Sequence, residues 1–478
     1  MEHLPDDVLL MVMQFVDVPD LLACRLVCKR LGGLALHPDA WRHRHLSSGG
    51  GVRQALRLAP CLRRIDVCVS TRSTTEMQCL FVATKCAVPE LRIKLCPLFA
   101  NAVGVVALAI RNQEALGRLR RLLLVYATTT TVANQLNYVE AGPPPGPIRL
   151  LFATLASTSG LEWLRLPGGS YTVPIAVSLH RATQSSPKVF SCMHVQETEP
   201  FVAFVLAAHA ATLEEVELGV GEDGVDMHAT TAGRLLAGGA PNLRALSCGL
   251  MPGLASVAAS APSLRSVTLY VTPGTQDHVG EAETLLRSAE HLRTVTLHYK
   301  VPTGAAAVGH SLVAALTGRN WPSRVQSLSV IDEVQTCRSG RDADYPHVQS
   351  LRAVLPSLPD LRHLKLNAVL DALARAVTPA SAPALRTLTL LPVPGRRKVC
   401  GHAFLHDGAV RALVKNNPEL ELRILAPRYY CRNCQKCSLG CHGLKEGDGG
   451  WQQKSILRYA WKASDKFLWV SCNARVDV

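Results

Sequence analysis

The sequence feature that most constrains the fold of this chain is a short phrase that returns along its length. The phrase reads apolar-x-x-apolar-x-apolar, commonly with Pro two residues before it and Arg at its second position. Four clear copies begin at Leu243, Leu264, Leu361 and Leu385. Looser copies begin at Leu62, Leu91, Leu119, Leu161, Leu213, Leu292, Val325 and Leu420. From Leu213 onward the copies are about 30 residues apart on average, which indicates a repeat protein.

The alternation within each phrase predicts a short strand with one buried face. Stretches that precede the phrases, such as Ala282 to His291 and Val348 to Leu358, are apolar at helical spacing. Because one repeat alone buries neither its strand nor its helix, neighbouring repeats are expected to stack into a curved α/β solenoid, with a parallel sheet on the concave side and helices on the convex side. The stretch from Gly142 to Pro147 predicts a loop, so an irregular insertion is expected near residues 125–160.

The first 46 residues follow a helical pattern instead. Apolar residues at helical spacing between Pro5 and Val16 predict a short amphipathic helix. A second helix is expected to begin at Asp17 to Asp20 and to end at Gly32-Gly33, and a third to begin near Pro38 and to carry Trp41. Three helices of this size bury little surface, so we expect a partner to cover an apolar face.

Four separated blocks in this region resemble an F-box: Leu4-Pro5-Asp6-Asp7-Val8-Leu9, Val18-Pro19-Asp20-Leu21-Leu22, Leu26-Val27-Cys28-Lys29-Arg30 and Trp41. Met13 and Leu31 stand where the family commonly has Phe and Trp, and both keep an apolar side chain. With the repeats behind it, the chain is similar to F-box proteins of the leucine-rich-repeat class. The resemblance implies a substrate-recognition subunit of an SCF (Skp-cullin-F-box) ubiquitin ligase, in the pathway of proteasomal degradation.

The resemblance also implies a domain organisation. A three-helix F-box would occupy residues 1–46, a linker 47–59, leucine-rich repeats 60–426 and a Cys-rich C-terminal cap 427–478. The F-box would bind a Skp-type adaptor and, through it, the cullin and the RING subunit, while the repeats hold the protein target. The implied adaptor contacts are Leu4, Pro5, Leu9, Val12, Val16, Pro19 and Leu21.

A polar surface is predicted on the concave side of the sheet. If the strands run as expected, alternate residues of four strands face the concavity and offer many hydrogen-bond donors to a target. A solvated sheet face without a target would show the same residues. They are Ser266, Thr268, Tyr270, Thr294, Thr296, His298, His363, Lys365, Asn367, Thr387 and Thr389.

Arginine recurs at the second position of the phrase and is expected to form a ladder along one edge of the sheet. Such a ladder could bind phosphate or carboxylate groups of a target. Arginine stems also cover neighbouring apolar surface, which would explain the same placement without a ligand. The residues are Arg63, Arg92, Arg120, Arg244, Arg265, Arg293, Arg362 and Arg386.

A cysteine run near the end has the spacing of metal ligands: Cys431, Cys434, Cys437 and Cys441, followed by His442. We expect zinc before an iron-sulfur cluster, because the ferredoxin run places Pro where this chain has His442. Plain thiols in a terminal cap and disulfides are the other interpretations. The same end carries apolar residues that would cover the edge of the last repeat: Trp451, Ile456, Leu457, Tyr459, Trp461, Phe467, Leu468 and Trp469.

Composition and motifs narrow the function further. The sequence has no phosphate-binding loop, HExxH, nucleophile elbow or kinase motif set, so we expect a non-catalytic subunit. Sixteen cysteines in 478 residues, no signal-peptide pattern and no apolar run of spanning length predict an intracellular protein of the cytoplasm or nucleus without a membrane anchor. Nucleic-acid binding would rest on the net charge of +14 alone. The alternatives are an interaction scaffold outside ubiquitin transfer and a metal-binding protein centred on the cysteine run.

Overall fold

The structure is a computed structural model. The chain forms two compact units, residues 1–221 and residues 222–478. Each unit is described by itself. The residues that the structure describes are 4–47, 51–69, 74–95, 100–126, 145–166, 187–220, 230–300, 308–317, 323–332, 346–366, 375–391, 408–427, 442–446, 456–461 and 468–473.

Four helices open the first unit: α1 Asp6–Met13, α2 Val18–Cys24, α3 Lys29–Ala35 and α4 Pro38–Trp41. The prediction of three helices is therefore wrong, because the chain breaks the expected second helix between α2 and α3. A new helix starts where the Cys28 sulfur accepts a hydrogen bond from the Leu31 N–H at 3.4 Å, which caps the first turn of α3.

Gly32 lies inside α3 and does not end a helix. A Cβ atom at this position would lie 3.0 Å from the Arg25 carbonyl oxygen. Because glycine has no Cβ atom, α3 can approach the end of α2 closely at this position. This close approach, and not helix termination, is the reason for glycine here.

The rest of the first unit alternates strands and helices. All its strand pairs are parallel, each strand pairing with the next in sequence. Neighbouring helices pack against one another from α5 to α9. The elements are β1 His45–Ser47, α5 Val52–Leu58, β2 Arg64–Val69, α6 Thr74–Ala83, β3 Glu90–Leu95, α7 Ala100–Ala115, β4 Arg121–Tyr126, α8 Pro145–Ser157, β5 Trp163–Leu166, β6 Val189–His194, α9 Glu199–His209 and β7 Glu215–Val220.

The second unit repeats the pattern with shorter helices. From β8 to β14 each strand pairs in parallel with the next in sequence. The elements are α10 Ala232–Ala237, β8 Ala245–Gly249, α11 Leu254–Ser260, β9 Ser266–Val271, α12 Val279–Ser288, β10 Thr294–Tyr299, α13 Ser311–Ala314, β11 Ser327–Asp332, α14 Pro346–Val354, β12 His363–Leu366, β13 Thr387–Leu390, α15 Gly408–Asn416 and β14 Glu421–Pro427.

Stacked aliphatic layers form the core behind each sheet, as the alternation in the phrase predicts. Strand register brings one buried residue of every strand into line with its neighbours, and each such side chain contributes about 1.5–3 kcal/mol through burial. One layer of the second unit runs through Leu246, Val267, Val295, Leu328, Leu364, Leu388 and Leu422.

Three further strands follow β14: β15 His442–Glu446, β16 Ile456–Trp461 and β17 Leu468–Asn473. β16 pairs antiparallel with β14 and with β17, and β15 pairs parallel with β17. The edge of the last parallel strand is therefore occupied by β16, which carries the predicted apolar residues Ile456 to Trp461. Trp451 and Phe467 lie outside the described residues.

Two expected irregular segments contain helices. α5 occupies much of the range 47–59 that was predicted to be a linker, and β1 begins before it. α8 begins at Pro145, so the end of the proline-rich stretch predicted as a loop opens a helix, where a first-turn proline loses no backbone hydrogen bond. Residues 127–144 of the predicted insertion lie outside the described residues. Across the described ranges, no helix has the length and apolar character needed to cross a membrane.

Glu283 of α12 provides a pH-dependent link to the next helix. A hydrogen bond from Ser311, at the start of α13, is the main cause that lowers the pKa of Glu283, and Arg287 at 2.6 Å lowers it further against the opposing effect of burial. Because this folded-state pKa lies below the unfolded value of about 4.3, the stabilisation exists above that pH and disappears as the pH falls through the folded pKa.

We expect Glu283→Gln to reduce the free energy of unfolding at neutral pH by about 0.5 kcal/mol, since solvent screens the pair. The difference from the unchanged protein should disappear as the pH falls through the folded-state pKa of Glu283, because the protonated carboxyl is then neutral like the amide. Urea unfolding across this pH range measures it, with Glu290→Gln as the exposed control. A difference of the same size at low and neutral pH would contradict the assignment.

Candidate functional site

Trp41 is the centre around which the N-terminal helices pack. Its indole is fully buried, and the indole N–H donates a hydrogen bond to the Ala35 carbonyl oxygen at 2.7 Å. The Arg44 guanidinium lies 5.7 Å from the ring centroid, within the range of a cation–π contact. This single side chain thus joins α3, α4 and the start of β1.

Two arginines tie the first helix to the elements that follow. Arg44 donates hydrogen bonds to the Met13 carbonyl at 2.5 Å and to the Ala40 carbonyl at 2.6 Å, and burial lowers the pKa of its guanidinium. Arg30 of α3 donates to the Asp6 carboxylate at 2.8 Å and pairs with it across the helices. The orientation of α1 is therefore fixed by backbone and side-chain contacts at both of its ends.

With α1 fixed, its apolar residues divide between two faces. Leu9 and Met13, four residues apart, are buried at 4% exposure each. Met11 and Val12 on the other side of the helix are exposed, as is Leu4 just before it. A helix that is apolar on both sides buries one side in its own domain and leaves the other for a partner.

The predicted adaptor contacts separate accordingly. Leu4, Pro5, Val12 and Pro19 are exposed, and Val16 is half-buried. The prediction is wrong in its physical role for two residues: Leu9 and Leu21 lie in the core of the helical region, Leu21 with no exposed surface. Their resemblance to family positions reflects packing, since a helix needs an inner apolar face to fold at all.

Four further exposed apolar residues were missed as candidate contacts. They are Met11 on α1, Phe15 just after it, and Leu26 and Val27 between α2 and α3. Phe15 is 88% exposed, Leu26 82% and Val27 70%. For Met11 and Phe15, the sequence signal was a second set of apolar residues at helical spacing in and after the first helix. Leu26 and Val27 were predicted to belong to the apolar face of one long second helix, which the structure does not form. We call the six exposed residues the apolar surface: Leu4, Met11, Val12, Phe15, Leu26 and Val27.

In the second unit, the predicted polar residues do lie side by side on the sheet. The register pairs Ser266 with Thr294, and Thr294 with Ser327, which in turn pairs with His363. A second row, two residues further along each strand, consists of Thr268, Thr296, Ser329, Lys365 and Thr389.

These two rows differ from the prediction at a few positions. Thr387 is only 5% exposed, so the prediction of an accessible hydroxyl there is wrong. Asn367 lies outside the described residues. Ser327 and Ser329 of β11 were missed, although the looser phrase at Val325 carried the signal. The rows therefore form a polar sheet surface that includes β11.

An aromatic pair ends the polar rows. Tyr270 and His298 stack with ring centroids 5.1 Å apart, and the Lys300 ammonium lies 5.7 Å from the Tyr270 centroid. Rigid stacked rings with a polar edge are common anchors in protein interfaces. Tyr270 and His298 therefore stay predicted contacts of a target, now with a defined stacked geometry.

The predicted arginine ladder is confirmed in part. In the second unit, Arg244, Arg265, Arg293, Arg362 and Arg386 precede adjacent strands, with Gln326 at the place of β11. In the first unit, the register aligns Glu90 with Arg121, so Pro89, not Arg92, lies beside Arg120. Arg92 belongs to β3 itself and pairs with Glu90 at 2.7 Å, which removes it from the ladder.

The predicted metal ligands Cys431, Cys434, Cys437 and Cys441 lie outside the described residues, as does the side chain of His442. Within the described ranges, no three His, Cys, Asp or Glu side chains are grouped for a metal ion. Burial raises the pKa of the Cys192 thiol and of the Cys248 thiol to about 12. Neither thiol is therefore a ready nucleophile or metal ligand at neutral pH.

Comparisons with known proteins bear on the N-terminal region. No curated protein matches the chain. Among solved structures, the chain is similar to one in the "Crystal structure of Rad7 and Elc1 complex in yeast", with 14% sequence identity over 88% of this chain and 81% of that chain. The TM-score is 0.37, so this likeness carries no argument here. Residues 1–47 match the family described as F-box-like, and the chain therefore begins with an F-box-like domain.

Proposed function

We propose that this protein is the substrate-recognition subunit of an SCF ubiquitin ligase. Its F-box-like domain would bind a Skp-type adaptor, and its sheet-and-helix repeats, which we assign to the leucine-rich class, would bind the protein target. The observation that carries the proposal is the apolar surface on the F-box-like domain. Large apolar groups at this exposure on a small domain favour a protein partner, because water contact with them is costly.

The role of the chain in this proposal is positioning. The RING subunit and the recruited conjugating enzyme would supply the chemistry, while the receptor raises the effective concentration of target lysines near the charged enzyme. The polar rows of the second unit support a binding role, since their side chains offer hydrogen bonds to a protein target. The chain itself would be non-catalytic.

Co-expression of the full chain with a Skp-type adaptor, a cullin and a RING subunit tests the proposal. We expect one complex of all four on size-exclusion chromatography, and ubiquitin chains only when the conjugating enzyme is added. A complex with the adaptor that excludes the cullin would instead support a scaffold outside ubiquitin transfer. Absence of any adaptor complex would overturn the proposal.

A further inference from the structure

A row of cationic side chains, interrupted by one glutamine, lines one edge of the second unit. Backbone hydrogen bonds of 2.8 or 2.9 Å connect each of its members to the next, so the residues occupy equivalent positions before adjacent strands. Every arginine in the row is exposed. We call this set the arginine row: Arg244, Arg265, Arg293, Arg362 and Arg386, with the neutral Gln326 between the third and fourth.

The row has a defined length. Parallel strands lie about 4.8 Å apart, so its six positions span about 24 Å. An extended polypeptide covers this distance with about seven residues, at roughly 3.3 Å per residue. The row therefore has the length of a short linear segment of protein lying across the strands.

Four arginines of the row keep their charges without an ion-pair partner in the described part of the chain. Arg265, Arg293, Arg362 and Arg386 form no ion pair with any described residue. The exposed acids closest to them in sequence, Glu290 among them, form none with the row either.

The equivalent edge of the first unit behaves differently. Its positions run through Arg63, Pro89, Arg120, Glu162, Lys188 and Glu214. Arg120 pairs with Glu162, and Lys188 pairs with Glu214, each at 3.8 Å. The same structural position thus carries charges of both signs in the first unit and only positive charge in the second, so the repeat pattern alone does not produce the arginine row.

We propose that the arginine row binds an extended, carboxylate-rich segment of the protein target. The guanidinium fork matches the carboxylate geometry and can bind it through two parallel hydrogen bonds. An acidic segment would also relieve the mutual repulsion of like charges one strand apart. This inference deepens the proposed function, on which its description of the ligand as a target rests.

Peptide is favoured over nucleic acid by the residues next to the row. The sheet positions directly beside it are Ala245, Ser266, Thr294, Ser327, His363 and Thr387. Single-stranded nucleic acid binds to aromatic side chains on which successive bases stack, and His363 is the one aromatic ring among these six positions. The stacked Tyr270 and His298 lie at the far ends of their strands, away from the arginine row.

The test uses the full chain and a fluorescein-labelled glutamate-rich peptide of about nine residues, long enough to exceed the row. The variant carries Arg265→Gln, Arg293→Gln and Arg362→Gln, which keep the side-chain length. The matched control carries Arg57→Gln, Arg118→Gln and Arg149→Gln, three exposed arginines of the first unit, and loses the same net charge.

By fluorescence anisotropy, we expect the row variant to bind the peptide about 10-fold to 100-fold more weakly, and the control to change binding less than about twofold. The difference should shrink as NaCl rises from about 50 mM to about 500 mM. Equal weakening in both variants, or tighter binding of a single- or double-stranded oligonucleotide at the row, would overturn the proposal. Adaptor binding by the row variant, measured in parallel, should be unchanged, so failure of the proposed function is seen separately.

Discussion

Replacing Phe15 and Leu26 together with Asp is expected to weaken adaptor binding strongly while leaving the fold of the chain intact. Both side chains are more than four-fifths exposed, so neither contributes to the core. In a complex they would become buried, and each carboxylate would then be desolvated against an apolar partner. We expect binding to weaken on the order of 100-fold or more, the range of apolar hot spots at interfaces.

The measurement is titration of the purified adaptor onto the immobilised full chain, with circular dichroism to verify folding. The matched control carries Val82→Asp and Leu150→Asp, two exposed apolar residues on α6 and α8, outside the F-box-like domain. This control should bind the adaptor with unchanged affinity. If the double Asp variant binds the adaptor as well as the control does, the apolar surface is not the adaptor site.

Replacing Trp41 with Ala is expected to have the largest effect on stability. The substitution removes a fully buried indole and leaves the Ala35 carbonyl without its hydrogen-bond donor. Large-to-small changes of this kind cost about 3–5 kcal/mol, which is a large share of the stability of such a small helical region. We expect local unfolding of α1 to α4, and with it loss of adaptor binding.

Amide hydrogen exchange, read by mass spectrometry, locates this effect. Peptides from residues 4–47 should lose protection, while peptides from the second unit keep theirs. Trp41→Phe retains most of the apolar volume and should restore much of the protection. Phe15→Ala, a change of an exposed ring, should alter stability by less than about 0.5 kcal/mol. Equal exchange in Trp41→Ala and the unchanged protein would show that the helices do not depend on the indole.

Strand positions and their inward residues were predictable from the sequence. Alternation has a period of two, so the Leu and Val of each phrase fix which side of a strand is buried, and stacking of equal phrases fixes parallel pairing. The polar rows follow from the same alternation, because they consist of the strand residues that face away from the core. The F-box-like domain was equally predictable, since its four blocks agree with the family in residue type and spacing between Leu4 and Trp41.

Tertiary structure alone decided which apolar residues of a helix serve the core. Leu9 and Val12 are both apolar residues of α1, yet Leu9 is buried and Val12 exposed, because contacts from Arg30 and Arg44 fix the rotation of the helix. In the sequence, Gly32 looked like the end of a helix. In the structure, glycine is favoured there because the Arg25 carbonyl oxygen lies close to the place that a Cβ atom would occupy.

For the arginine row as well, the sequence predicted some features and the tertiary structure decided others. The recurrence of Arg was visible in the sequence, but the strand register places Glu90 opposite Arg121, so Pro89 and not Arg92 lies beside Arg120. Whether neighbouring edge positions neutralise each other depends on which strands are adjacent. The sequence by itself thus determined periodicity and local type, which need only the chain's own neighbours. The tertiary structure decided exposure, register and charge balance, which depend on residues that are distant in sequence.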